Sequence, residues 1–135
     1  MKLAYVDTCV WIARIEGLSN YRVIIEKELN RLLQEGWTFC LSDAVRLEAL
    51  ARPSMQHQDD LIQIYHQLFS AMRDLKGYAG VLKEALVVSH AEGLKAMDAI
   101  HVTIAQYYGC QRFISTDLDF RRLKLITPYW IRLNV

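Results

Sequence analysis

The chain has 135 residues, 53% of them apolar and 23% charged, which suits one globular domain and excludes a disordered or fibrous chain. Lys and Arg number 16 against 15 Asp and Glu, a formal net charge of +1, so a polyanion partner has to be met by a local patch. The three cysteines, Cys9, Cys40 and Cys110, match no CxxC or zinc spacing and read as free thiols of a reducing compartment.

The opening MKLAYVDT meets Asp7 too early for the apolar region of a signal peptide. No apolar run approaches the ~18 residues of a membrane span. A soluble cytoplasmic protein is expected. Leu3-Ala4-Tyr5-Val6 suits a strand buried on both faces, ending at Asp7-Thr8. Trp11, Ile15 and Leu18 follow at helical spacing, punctuated by Gly17 and Ser19-Asn20. A helix from about Tyr21 carries Ile24, Ile25, Leu29, Leu32 and Leu33 and stops at Gly36.

Residues 37–41, short and aromatic-rich, predict a second strand. Ser42 is placed to cap a helix running to about Ala51, and Arg52-Pro53-Ser54 breaks it. Leu61, Ile64, Leu68, Met72 and Leu75 step by three or four along one face, predicting one long helix closed by Gly77 and Gly80. Residues 81–92 and 95–108 read as two more helices, stopped by Gly93 and Gly109. A strand over 112–116 leads into Asp117-Leu118-Asp119, and a last strand is expected over 130–133.

Short apolar strands alternating with helices predict an α/β fold, a parallel sheet between helical layers. In such sheets the functional crevice lies outside the carboxyl ends of the strands. Acids gather at those ends. Asp7 follows the first strand, Glu48 lies in the helix after the second, and Asp117 and Asp119 follow the strand over 112–116. Asp98 falls in the first turn of its helix.

Singly, each acid has an ordinary role open to it. Asp7 suits a helix cap, Asp98 suits a helix start, Glu48 suits a solvated face, and the Asp117–Asp119 pair suits a surface turn. Glu48 and Asp98, however, are flanked by apolar neighbours, where an unpaired acid is expensive. Were four acids to converge, each pair at about 5 Å would repel by roughly 3 kcal/mol at an effective dielectric near 20. Six pairs come to on the order of 20 kcal/mol, more than a small domain's stability. Protons or divalent cations must then occupy the cluster. All-oxygen ligation suits Mg²⁺ or Mn²⁺, whose carboxylate sites activate water for phosphodiester cleavage.

The blocks LAYVDTCVW, LSDAVRLEAL, KAMDAIHVTIAQYYG and RFISTDLDF, in that order, resemble the PIN domain family and within it the VapC-type toxin ribonucleases. The resemblance covers nearly the whole chain, taken as a single PIN-like nuclease domain over 1–135. It implies a three-layer α/β/α fold with a short central parallel sheet. It implies catalytic, metal-holding acids at Asp7, Glu48, Asp98 and Asp117, a supporting metal acid at Asp119, and a Thr116 hydroxyl positioning Asp117 or a metal-bound water. An RNA substrate, an antitoxin protein as partner and a homodimer are further implications.

Competing readings are an inactive PIN-like module that binds RNA or protein, and a Toprim-like nuclease. The first usually lacks some of the acids, all present here. The second would carry its Glu near the first strand, where this chain has Asp7. His101, three residues after Asp98, reads as a satisfied, partly buried histidine rather than a general base. Arg121, Arg122 and Lys124 suit either a phosphate backbone or a solvated basic turn. Arg14 and Arg46 are open to facing the crevice or pairing with its acids.

Overall fold

A computed structural model describes residues 1–133. In chain order these form β1 (Lys2–Val6), α1 (Thr8–Glu16), α2 (Ser19–Gln34), β2 (Trp37–Ser42), α3 (Asp43–Leu50), α4 (Asp59–Ser70), β3 (Arg73–Leu75), α5 (Val81–Glu92), α6 (Ala96–Tyr107), β4 (Arg112–Ser115) and β5 (Thr127–Trp130). Short 3-10 turns at Pro53–Met55 and Leu118–Arg122 complete the set. The five strands are all parallel, in the order β3-β2-β1-β4-β5. This is the expected three-layer α/β/α arrangement.

The central strand explains itself. Leu3 to Val6 are all buried, so both faces of β1 need cover. Tyr5 is in register with Phe113 of β4 and stacks on it, with ring centroids 5.5 Å apart. Ala4 is in register with Phe39 of β2 on the opposite face, where Trp11 of α1 meets Phe39 edge-on. With β1 central, the chain leaves it toward β2 on one side and returns to β4 on the other. The crevice therefore opens at the carboxyl ends of β1 and β4.

Several boundaries differ from expectation, each for a reason of pairing. The run from Leu61 to Leu75 is not one helix: α4 ends at Ser70, and Arg73–Leu75 add a short edge strand to β2. Three residues are too few to carry a period, and the strand is held by pairing and by an Arg46–Asp74 ion pair of 2.8 Å. The last strand lies at Thr127–Trp130 rather than over 130–133. Pro128 within it has no N–H to donate, which an edge strand tolerates. The strand over 112–116 ends at Ser115, and α1 ends at Glu16, leaving Leu18 outside it and exposed. Cys9, Cys40 and Cys110 are free thiols. Among the described residues, no helix is long and apolar enough to cross a membrane.

Candidate active site

Asp7 stands where β1 gives way to α1 and caps that helix, its Oδ1 accepting the Thr8 N–H at 2.8 Å. Its Oδ2 accepts the Ser115 hydroxyl at 2.9 Å and the Cys9 thiol at 3.2 Å. The side chain is buried despite its charge, with 4% exposure. Burial is the largest influence on it and raises its pKa; nearby Glu48 pushes the same way, while His101, Cys9 and Ser115 pull back. Cys9, partly buried beside that carboxylate, has its thiol pushed up to about 12 by desolvation and then by Asp7, and is chemically quiet.

Glu48 enters from α3, which Ser42 caps by accepting the Ala44 N–H at 3.2 Å. Its Oε1 lies 2.9 Å from Nε2 of His101, and this hydrogen bond is the main reason its pKa falls below the usual Glu value. His101 is fully buried on α6, with Nε2 also 3.9 Å from Asp7 Oδ1. Ligand atoms of Asp7, Glu48 and His101 all lie within 4.8 Å of one another.

Asp98, in the first turn of the same helix, is half-buried. Burial first, then the charges of Asp7, Asp117 and Glu48, push its carboxyl up to about 6, against an opposing pull from His101. Asp117 is exposed and caps the 3-10 turn, its Oδ1 accepting the Asp119 N–H at 2.9 Å. Its own N–H donates to Ser115 Oγ at 3.0 Å. Ser115 thus ties Asp7 to Asp117 through one hydroxyl, a connection that sequence reasoning missed. The available signal was a small polar residue at the end of a buried strand. Thr116 does not make this link; its carbonyl accepts the Trp130 indole N–H at 3.2 Å.

The structure therefore sets Asp7 and Glu48 side by side, with Asp98 and Asp117 in the same electrostatic field. Asp119 stays apart and exposed, lining a groove with Glu92, Leu118, Arg121 and Arg122. The six-pair repulsion reckoned from sequence is softened here, because Asp117 faces solvent and Glu48 is bonded to His101. Arg14 and Arg46 do not relieve the acids; they pair with Glu26, and with Asp43 and Asp74. Among the described residues no Lys or Arg forms an ion pair with Asp7, Glu48, Asp98 or Asp117. A set of carboxylate oxygens with no Lys or Arg partner among the described residues fits a hard divalent cation.

The family model of the PIN domain matches residues 4–125. The chain belongs to the PIN domain family. No curated protein matches it. Among solved structures, this PIN domain is similar to VapBC2 from Rickettsia felis bound to a promoter DNA fragment, at 13% identity and TM-score 0.66, over 94% of this chain and 97% of that one. It is similar to a toxin-antitoxin complex from Klebsiella pneumoniae, at 20% identity and TM-score 0.67, over 95% and 99% of the two chains. FitAcB from Neisseria gonorrhoeae shares 14% identity and a TM-score of 0.62, over 93% and 96%. At these identities the likeness is one of fold.

In this PIN domain, among the described residues, Asp119 reaches the acid site through its backbone N–H, which Asp117 Oδ1 accepts. Asp119→Asn is therefore expected to fold normally and, if the acid site is a nuclease centre, to lower cleavage by less than about tenfold, since it removes no group facing Asp7. Steady-state cleavage kinetics of the variant check this.

Proposed function

We propose that this PIN domain, acting as one unit over residues 1–135, is a Mg²⁺- or Mn²⁺-dependent endoribonuclease and the cytoplasmic toxin of a type II toxin-antitoxin pair. The observation that carries the reading is the acid site that no Lys or Arg neutralises among the described residues: Asp7 buried, bridged to the Asp117 backbone by Ser115, with Glu48 and Asp98 beside it. An inactive binding module has no use for such a costly arrangement. The toxin role and the antitoxin partner rest on the resemblance and on the toxin-antitoxin complexes that share the fold.

Hydrolysis adds water across one P–O bond of the RNA backbone. A bound divalent ion supplies charge neutralisation for the phosphate and lowers the pKa of water. Asp7, Glu48, Asp98 and Asp117 are the residues that would hold it. The chain's own groups do the rest. Ser115 keeps the Asp7 carboxyl in fixed relation to the Asp117 backbone, and the Thr8 N–H orients Asp7. The exposed guanidinium of Arg121, 4.8 Å over the Trp130 ring, stands one turn beyond Asp117 and suits a phosphate of the bound strand.

A homodimer is part of the proposal. On α5, Leu82, Leu86 and Val87 are exposed by 67%, 60% and 67%, an apolar face suited to a second copy of the chain. Leu82→Asp with Leu86→Asp is expected to give a monomer by sedimentation, with the melting temperature little changed at the same low concentration. A monomeric wild type would remove the dimer from the account.

Expression in a bacterial host tests the role itself. Wild-type protein is expected to arrest growth, Asp7→Asn is not, and a cognate antitoxin should restore growth. Harmless accumulation of soluble wild-type protein would contradict the toxin reading.

A further inference from the structure

Beneath the acids runs a buried polar chain that joins three elements far apart in sequence. Tyr5 Oη lies 2.7 Å from Ser42 Oγ and 2.7 Å from His101 Nδ1, while His101 Nε2 lies 2.9 Å from Glu48 Oε1. Tyr5, Ser42 and His101 are each fully buried, so solvent offers them no alternative partners.

Counting hydrogens gives the chain a direction. The Ala44 N–H already donates to Ser42 Oγ. If the Ser42 hydroxyl donates to Tyr5 and the Tyr5 hydroxyl to Nδ1, the ring hydrogen sits on Nε2 and faces the Glu48 carboxylate. Every hydrogen is then used once. In the opposite direction the Ser42 hydrogen has no acceptor among the described residues, and the neutral ring turns a lone pair toward a carboxylate, with the Thr8 hydroxyl at a long 3.5 Å as the donor left to it. Burial keeps the Tyr5 phenol protonated, as the first direction requires.

We propose that His101 is a positioning residue for Glu48: Tyr5 and Ser42 lock its ring in the Nε2–H tautomer, and that N–H fixes Glu48 beside Asp7 so that both carboxylates meet one divalent ion. The ion is taken from the proposed function, whereas the tautomer stands on the hydrogen-bond geometry alone. His101 is close enough to Asp7 and Glu48 to be mistaken for a ligand. A hydrogen on Nε2 occupies the lone pair that a ligand would need. Glu48 comes from a partly exposed helical position, and among the described residues His101 is its principal side-chain anchor. Hydrogen-bonded partners of metal-holding carboxylates are worth about 10- to 100-fold in metal affinity.

The test combines Mn²⁺ calorimetry with ¹⁵N NMR of the imidazole. His101→Leu is expected to weaken Mn²⁺ binding about 10- to 100-fold. His101→Gln, which keeps an N–H donor toward Glu48, should recover most of that loss, and Tyr5→Phe should show a smaller one. If His101→Leu does not fold, Tyr5→Phe and the spectra decide. The wild-type spectrum should show the Nε2–H tautomer both without metal and with Mg²⁺, and Tyr5→Phe should show mixed tautomers. Loss of the Nε2 hydrogen on adding Mg²⁺ would make His101 a ligand and overturn the proposal. So would an Nδ1–H tautomer, or unchanged Mn²⁺ affinity in both His101→Leu and Tyr5→Phe. A wild type that binds no ion would instead overturn the metal reading, while the metal-free spectrum still judges the lock on the ring.

Discussion

Asp7→Asn is expected to lower RNA cleavage by at least about 100-fold while leaving the protein folded. The asparagine keeps the size of the side chain and a carbonyl oxygen for the Thr8 N–H. Its amide replaces the oxygen that faces Ser115 and Cys9, and the Ser115 hydroxyl can rotate to accept from it. What disappears is a buried negative charge that the fold holds at a cost, as the raised Asp7 pKa shows. Metal-free Asp7→Asn should therefore melt no lower than wild type. Asp98→Asn and Asp117→Asn should lose activity on the same scale, in contrast to Asp119→Asn. Thermal melting and cleavage rates on the same preparations separate lost charge from lost structure.

The second large effect is a pH dependence of stability that a divalent ion cancels. Asp98 titrates at about 6 in the fold against an ordinary value of 3.8. Between those values the folded state binds more protons than the unfolded state. Stability is therefore greatest below about pH 4 for this group and falls as pH rises through about 6. Asp7, also raised, acts in the same direction. Glu48 is lowered and acts oppositely, with its stabilisation present above its unfolded value and lost only as pH falls below that. The two effects occupy separate windows. Asp98 is only half-buried, so solvent screening cuts its share to about 1 kcal/mol, or roughly 3–5 °C in melting temperature. Metal-free protein should thus melt lower at pH 7.5 than at pH 5.5. Mg²⁺ or Mn²⁺ at ten times its dissociation constant should restore about 1.4 kcal/mol at pH 7.5. Asp98→Asn should flatten both responses. Equal melting across this range, with and without metal, would mean that the acids do not feel one another.

Much of the site is legible in the chain itself because a parallel sheet sends its strand ends to one crevice. Asp7 directly follows β1 and Asp117 lies two residues beyond β4, strands whose apolar runs are plain. Ser42 reads as a helix cap, and it is one. Its second bond, to Tyr5, spans 37 positions, and the Tyr5–His101 bond spans 96. No local pattern encodes such pairings, so the chain beneath Glu48 could only be seen in three dimensions. Ser115 was hidden for the same reason, since its partner Asp7 lies 108 positions away. Of the two edge strands, β3 was missed and β5 was placed three residues too late, on other grounds. Residues Arg73–Leu75 continue the apolar spacing of the helix before them, and Pro128 argues against a strand until its place at the edge is known. Arg14 and Arg46 sit near the acids in sequence, yet each finds a different acid in the fold.

The central claim is that Asp7, Glu48, Asp98 and Asp117 form a divalent-metal nuclease site. The most direct measurement is cleavage of a labelled single-stranded RNA by the purified protein in Mg²⁺ or Mn²⁺ and in excess chelator, with Asp7→Asn prepared in parallel. The account predicts cleavage by wild type in metal, none in chelator, and a loss of at least about 100-fold in Asp7→Asn. Cleavage that persists in chelator, or that Asp7→Asn retains in full, would contradict it.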